Sequence, residues 1–431
     1  MIVEKWTAVE VKALRTAALR ETQEQFAERL GWGPSTIRAW ERSAVGRTVR
    51  ASRAEDLDTV LRRLTPEQAQ RFAVALSTSH PGPLVHPGIA TGQHEAVTEE
   101  DADVRRREFG KVAAVMATLP ALGHPAQARI GAEDVQRLAA AVAELIAADQ
   151  QVGGAPLVEA AVATLDRTLA LLDSTAYSDA TGRALMSATG NLAVQTGWLA
   201  FDADRHSLAR RCHADAFALA SGSNDEELTA HVCLNAANQA IALARRGSGS
   251  PSYAITMIGR ARDLMRGRPP GRIHALISVR AAQAHGVARD RHGFGRAITT
   301  AWRELDAARE FESVDDCPEW LRFVSPSEVR AHEARGHHDL GDPARAVELY
   351  EVTCSEPAQP RNALNDRAWL AATRAVLGDT RGALEEGAAV LATLEESVRS
   401  PRTLKALAPV RATGDADFAA RFDALVAEGI V

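Results

Sequence analysis

Residues 340–350 read Leu340-Gly-Asp-Pro-Ala-Arg-Ala-Val-Glu-Leu-Tyr350, and residues 377–386 read Leu377-Gly-Asp-Thr-Arg-Gly-Ala-Leu-Glu-Glu386. In both, a glycine–aspartate pair marks a tight turn and alanine recurs through the helix that follows. The same punctuation returns at Asp202-Ala-Asp-Arg-His206, Asp290-Arg-His292 and Gly414-Asp415. A helix of about 15 residues, a tight turn and a second helix, recurring every 35–50 residues or about that, is the pattern of a helical repeat. The spacing predicts hairpins near 132–172, 183–221, 225–266, 271–310, 326–354 and 362–396, with a capping pair near 401–428. One hairpin alone cannot bury its apolar face, but stacked neighbours share a continuous core. Small residues at the crossings let paired helices approach closely.

Composition agrees with an all-α chain. Of 431 residues, 46% are hydrophobic and only 5% aromatic, and alanine, leucine and arginine, all good helix formers, dominate. The length calls for two or more units. The net charge of −6 is uneven: residues 1–76 carry 13 Lys and Arg against 10 Asp and Glu, and the remainder carries 37 against 46. A basic head on an acidic body fits a nucleic-acid-binding module joined to a regulatory one. Residues 77–92 are dense in Pro, Gly and Ser without apolar period, and 77–104 is read as a flexible linker between domains 1–76 and 105–431. The four cysteines form no Cys-x-x-Cys pair, which argues against a zinc site or disulfide scaffold and for a cytoplasmic home. The N-terminus has no apolar signal region, and no run is long enough to span a bilayer. Arg105-Arg-Arg-Glu-Phe-Gly-Lys111 and the apolar run behind it resemble a twin-arginine export signal, but such a signal is read at an N-terminus. The stretch is therefore expected to be a helix opening the second domain.

The head is read from residues 22–42, Thr-Gln-Glu-Gln-Phe-Ala-Glu-Arg-Leu-Gly-Trp-Gly-Pro-Ser-Thr-Ile-Arg-Ala-Trp-Glu-Arg. Phe26, Ala27 and Leu30 share one helical face, Gly31 ends that helix, and Pro34 suits the first turn of the next. Ile37 and Trp40 face inward, leaving Ser35, Arg38 and Arg42 outward. A helix that packs on one side and offers hydroxyls and guanidiniums on the other fits a DNA groove. Before it, Val11, Leu14 and Ala18 make the stripe of a leading helix. After it, residues 42–53 hold four arginines and no acid, a loop suited to lie along phosphates. Leu57, Val60, Leu61 and Leu64 form another helix, and Thr65-Pro66 opens a fifth.

On Gln23, Ala27, Leu30-Gly31, Ser35-Thr36-Ile37 and Trp40-Glu41, this stretch resembles the helix-turn-helix of the Cro and phage-repressor (Xre) family. The resemblance implies a phosphate contact for Gln23 and outward recognition positions for Ser35, Thr36 and Arg38. Two departures, Gly33 at a turn position that often holds Ser or Thr and Pro34 at a base-reading position, shift readout toward Ser35, Arg38 and Arg42. Arg47, Arg50 and Arg53 are expected to contact phosphate. The 340–350 and 377–386 segments resemble tetratricopeptide repeats. The whole layout is similar to Xre-type regulators of high-GC bacteria with a repeat-type sensor, an arrangement shared with peptide-pheromone receptors.

Candidate catalytic chemistry is sparse. His332-Glu-Ala-Arg-Gly-His-His338 spaces its histidines five and six apart, whereas a zinc helix needs four. No phosphate-loop glycine–lysine motif occurs, and the neighbouring Cys212 and His213 would face different ways. No enzyme activity, cofactor or metal is expected. Asparagines on the first helices of hairpins can hold an extended peptide, because one amide both donates and accepts. Asn191, Asn235, Asn238 and Arg280 are the candidates, Arg280 as a carboxylate partner.

The sequence thus predicts an all-α chain: a five-helix helix-turn-helix domain, a linker and a tetratricopeptide-like solenoid. The expected function is a sequence-specific regulator that binds operator DNA as a homodimer. Its repeats would sense a peptide, a small molecule or a protein partner, away from any membrane. The alternative is a repeat-based adaptor with a DNA-anchoring head.

Overall fold

The computed structural model describes residues 6–19, 21–30, 32–41, 49, 51–62, 64, 68, 72, 75–76 and 130–430. The chain divides into two units, Met1–Ala96 and Val97–Val431. The expected linker 77–104, the twin-arginine-like stretch and the Thr65-Pro66 helix start lie outside the described residues.

In the first unit, α1 (Ala8–Ala13) runs on through a π-helical stretch Leu14–Leu19 and is followed by α2 (Gln23–Leu30), α3 (Pro34–Glu41) and α4 (Ala51–Arg62). Thr7 and Glu10 close a capping box at the start of α1, satisfying backbone donors the helix cannot reach. Val11, Leu14, Ala18, Phe26, Ala27, Ile37, Leu57 and Leu61 make one core with Trp6 and Phe72. The apolar stripes read from the sequence are its inner faces. Arg53, expected in the basic loop, belongs to α4, which begins at Ala51.

The second unit is a series of helical hairpins: α5 (Ala132–Val152) with α6 (Val158–Ser174), α7 (Asp179–Asp202) with α8 (His206–Ser223), and α9 (Glu226–Arg245) with α10 (Pro251–Leu264). Then come α11 (Arg272–Val287) with α12 (Arg291–Phe311), α13 (Pro326–Asp339) with α14 (Pro343–Ser355), and α15 (Pro360–Leu377) with α16 (Thr380–Glu396). Three short helices end the unit: α17 (Pro401–Ala406), α18 (Ala408–Arg411) and α19 (Ala416–Leu425). No strand occurs among the described residues. The fold is all-α with tetratricopeptide-like repeats.

The glycine–aspartate turns work in two steps. Gly378, at φ +90°, ends α15 in the left-handed conformation, and the Asp379 carboxylate caps α16 by accepting from the Gly382 N–H at 2.9 Å. Asp342, Asp290 and Asp415 cap their helices in the same way.

The solenoid is closed on itself. Backbone joins its two ends: Arg399 N–H donates to Val152 O at 2.7 Å, and Ala155 N–H to Arg399 O at 3.3 Å. Gly153 sits at this contact with φ +81°, and a Cβ there would stand 2.5 Å from the Arg399 carbonyl oxygen. Asp202, fully buried, accepts from Gly154 N–H at 3.0 Å, Ser400 Oγ at 2.9 Å and Arg402 Nε at 2.9 Å. Lys405 pairs with Asp204, and Arg361 with Asp149 at 3.2 Å. The expected capping pair is therefore a clasp that returns to the first two hairpins.

A polar chamber inside the repeats

The closed ring surrounds a chamber of about 700 Å³. Its wall comes from α5, α7, α9, α11, α13, α15, α17, α18 and the segment 319–323; α6, α8, α10, α12, α14 and α16 contribute nothing to it. The first helix of each hairpin thus faces inward and the second lies outside. A first helix packs on neighbours and also lines the chamber, so it carries polar side chains at buried positions. Among the described residues the wall holds seven arginines and a lysine against four carboxylates, with Trp198, Trp320 and Trp369 between them.

On α11 and α13, His332 Nε2 is 2.8 Å from Glu328 Oε1 and its Nδ1 is 2.5 Å from Gln283 Nε2. The consistent assignment is an imidazole that donates to Glu328 and accepts from Gln283. Burial holds the His332 ring at about 4, so it is neutral at physiological pH. Burial opposes ionisation of Glu328, but His332 and the charges of Arg280 and Arg335 outweigh it and hold the carboxyl at about 2. Arg280 donates to Gln283 Oε1 at 3.2 Å. Burial, with the nearby charges of Arg335 and Arg402, brings Arg280 down to about 10 against the pull of Glu328.

Further round the wall, Arg335 lies 4.7 Å over the Trp369 ring and 3.6 Å from Asp366. Burial, reinforced by Glu328, raises the Asp366 carboxyl to about 7 despite Arg335 and Arg402. Arg361 lies 5.0 Å over Trp198, whose Nε1 donates to Asp149 at 2.9 Å. Burial also raises Asp149, to about 6, with Asp202 adding to it and Arg361 opposing. On α9 the His231 ring stacks on Trp320 at 3.7 Å; burial and the charge of His213 hold it at about 3.

The expected ligand residues distribute as follows. Asn235 and Asn238 lie half-buried on α9 and line the chamber. Asn235 Nδ2 donates to His231 O at 3.2 Å, an intrahelical bond that leaves its carbonyl oxygen free of that contact. Arg280 lines the chamber as well, with 7% of its surface exposed. Asn191 does not: its Nδ2 bonds Ser187 O and its Oδ1 meets His231 Nδ1 at 3.3 Å, so it stands behind that histidine.

In the first unit, Arg15 clamps Glu41 through Nε at 2.6 Å and Nη2 at 2.9 Å, tying the leading helix to the end of α3. Gln23 donates to the same carboxylate at 2.6 Å. Burial opposes ionisation of Glu41, yet these donors lower its pKa. Ser35 is exposed, Thr36 half-buried, and Arg38 is exposed and paired with Glu24 at 2.9 Å. Arg42, Arg47, Arg50 and the side chain of Arg53 lie outside the described residues.

Sequence reasoning missed Arg335, Arg361, Asp366, Trp198 and Trp369. The signal was present as polar residues three or four apart on otherwise alanine-rich helices, as in His332/Arg335 and Asn362/Asn365/Asp366. Cys212 and His213 are both buried: burial pushes the thiol to about 12 and holds the ring at about 4, so neither is ionised at neutral pH.

No protein-family model and no curated protein matches this sequence. Among solved structures, the chain is similar to a Rap protein crystallised with competence and sporulation factor. The likeness has a TM-score of 0.50 and 14% identity, over 77% of this chain and 88% of that one. It is a likeness of fold. No described helix is long and apolar enough to cross a membrane.

Proposed function

We propose that the chain is a signal-responsive transcriptional regulator whose first unit binds operator DNA and whose repeats receive a ligand in the chamber. The chamber carries the sensing half of this reading. Its volume of about 700 Å³ is in the range of small-molecule and short-peptide sites, and its wall offers polar groups between aromatic rings. Asn235 and Asn238 suit the backbone of an extended peptide, which presents a donor and an acceptor at each residue. By fold analogy, the Rap protein bound to competence and sporulation factor supports a signal-type occupant. The exposed Ser35 and Arg38 on α3, held in place through the Arg15–Glu41 clamp, support the DNA-binding half.

Two heads linked in a homodimer would bind two half-sites, because a single helix-turn-helix offers a small interface. An occupant alters operator affinity only by its differential affinity for two arrangements of the protein. In this reading the chain is cytoplasmic and non-catalytic. The deciding experiment is genome-wide occupancy by the intact protein and by an Asn235→Ala/Asn238→Ala variant, with gel shifts on the recovered fragments. Sequence-selective binding by both, with signal response lost in the variant, is expected. Absence of any selective fragment defeats the regulator and leaves the repeat-based adaptor.

A further inference from the structure

Three arginines on three successive first helices line the chamber wall: Arg280 on α11, Arg335 on α13 and Arg361 on α15. Their exposures are 7%, 7% and 4%, and Nε of each has no hydrogen-bond partner in the protein. A buried donor without an acceptor is costly, more so on a charged group. The counter-charges are incomplete. Asp366 stands 3.6 Å from Arg335, beyond hydrogen-bond reach, and Asp149 meets only an Nη of Arg361, at 3.2 Å. Arg280 Nη1 donates to the Gln283 amide oxygen at 3.2 Å, while His332 Nε2, also 3.2 Å away, gives its hydrogen to Glu328 and offers no acceptor. Two of the guanidiniums are seated on indole faces, Arg335 on Trp369 and Arg361 on Trp198, which fixes their planes and leaves their edges for ligand oxygens.

A planar fork of donors matches the paired oxygens of a carboxylate or phosphate, and such charge-assisted bonds are stronger than those to a neutral carbonyl. We propose that the chamber recognises an oxyanion group of its ligand, a carboxylate or a phosphate, held by Arg280, Arg335 and Arg361 between Trp198 and Trp369. The proposal rests on the chamber being the ligand site, and it names the chemistry that selects the occupant.

The test is isothermal titration of the intact protein with pyrophosphate, citrate, an acidic pentapeptide and its neutral analogue bearing Gln for Glu and a C-terminal amide. At least one anionic probe is expected to bind once per chain, with an affinity that falls as salt is raised and falls at least about tenfold in Arg335→Gln, equivalent to about 1.4 kcal/mol. The exposed Arg137→Gln is expected to bind as the parent does. If circular dichroism shows Arg335→Gln unfolded, Arg280→Gln gives the same readout. Binding of pyrophosphate alone assigns a phosphate ligand; binding of citrate or the acidic peptide assigns a carboxylate. Absence of binding by every anionic probe, or binding unchanged in both arginine variants, overturns the proposal. Equal binding of the neutral analogue also overturns it, while leaving the chamber as a ligand site.

Discussion

Asp202→Ala tests the closure of the ring. The carboxylate is fully buried and accepts from Gly154 N–H, Ser400 Oγ and Arg402 Nε at 2.9–3.0 Å. Removing it strands a guanidinium that is itself mostly buried. Deleting one partner of a buried ion pair costs about 3–5 kcal/mol, because the remaining charge stays out of water. In an open solenoid each repeat touches only its neighbours, so the damage would stay within the α7 hairpin. Here it must appear at both ends of the solenoid. Hydrogen exchange of the intact protein is the suitable assay, since a long repeat array need not unfold in one step. Exchange should quicken by roughly a hundredfold to several thousandfold across 148–157 and 399–411, with α11 and α12 close to the parent. The exposed Asp173→Ala should change stability by no more than about 0.5 kcal/mol. Unchanged protection at 399–411, or an even loss over all helices, would refute the clasp.

Three further outcomes follow from the geometry. Gly153→Ala places a Cβ 2.5 Å from the Arg399 carbonyl oxygen at φ +81°, so it should loosen the same two segments by about 1–3 kcal/mol, read by the same exchange; normal protection there would contradict the close approach. Asp366, which faces Arg335, Glu328 and Arg402, has its carboxyl raised from 3.8 to about 7, so its stabilising effect is complete below about pH 4 and is lost as pH rises through 7. Asp366→Asn removes that dependence, and its melting temperature relative to the parent should rise between about pH 5 and pH 8; a constant difference would refute the shift. Arg38→Ala frees only an exposed ion pair with Glu24 and should leave folding unchanged, while costing about 1–3 kcal/mol of specific operator binding in gel shift and relaxing one base position; unchanged selectivity removes Arg38 from readout.

The hairpins were legible because their turns carry local chemistry. A left-handed glycine followed by a capping aspartate needs no long-range partner, so Gly378-Asp379 can be read where it stands. The inner faces of α7, α9 and α11 were partly legible: Asn235, Asn238 and Arg280 project into the chamber, but Asn191 on α7 serves His231 instead. The clasp was not legible. Asp202 and Arg402 are 200 positions apart, and each reads singly as a surface charge. Nor were the chamber arginines. On a helix buried on nearly every side the apolar stripe disappears, and with it the periodicity that separates an inward from an outward arginine.

The clasp and the proposed oxyanion site share side chains, and this makes their energetics inseparable. Arg361 stands in the chamber wall and also ties α15 to Asp149 on α5; Arg402 stands in the same wall and holds Asp202 on α7. An anionic occupant would compete with Asp149 for Arg361 and would also supply charge that the clasp lacks. Whichever effect prevails, linkage requires reciprocity: if occupancy tightens the ring, a variant that opens the ring must weaken occupancy by the same free energy, and if occupancy loosens it, the variant must bind more tightly. Measuring the affinity of one anionic probe for the parent and for Asp202→Ala therefore gives the sign of the coupling without any knowledge of the natural ligand. An affinity equal in the two proteins would mean that the occupant does not distinguish the closed ring from the open one. The chamber could then fill without moving the ends of the solenoid, and a signal to the first unit would have to leave by another route.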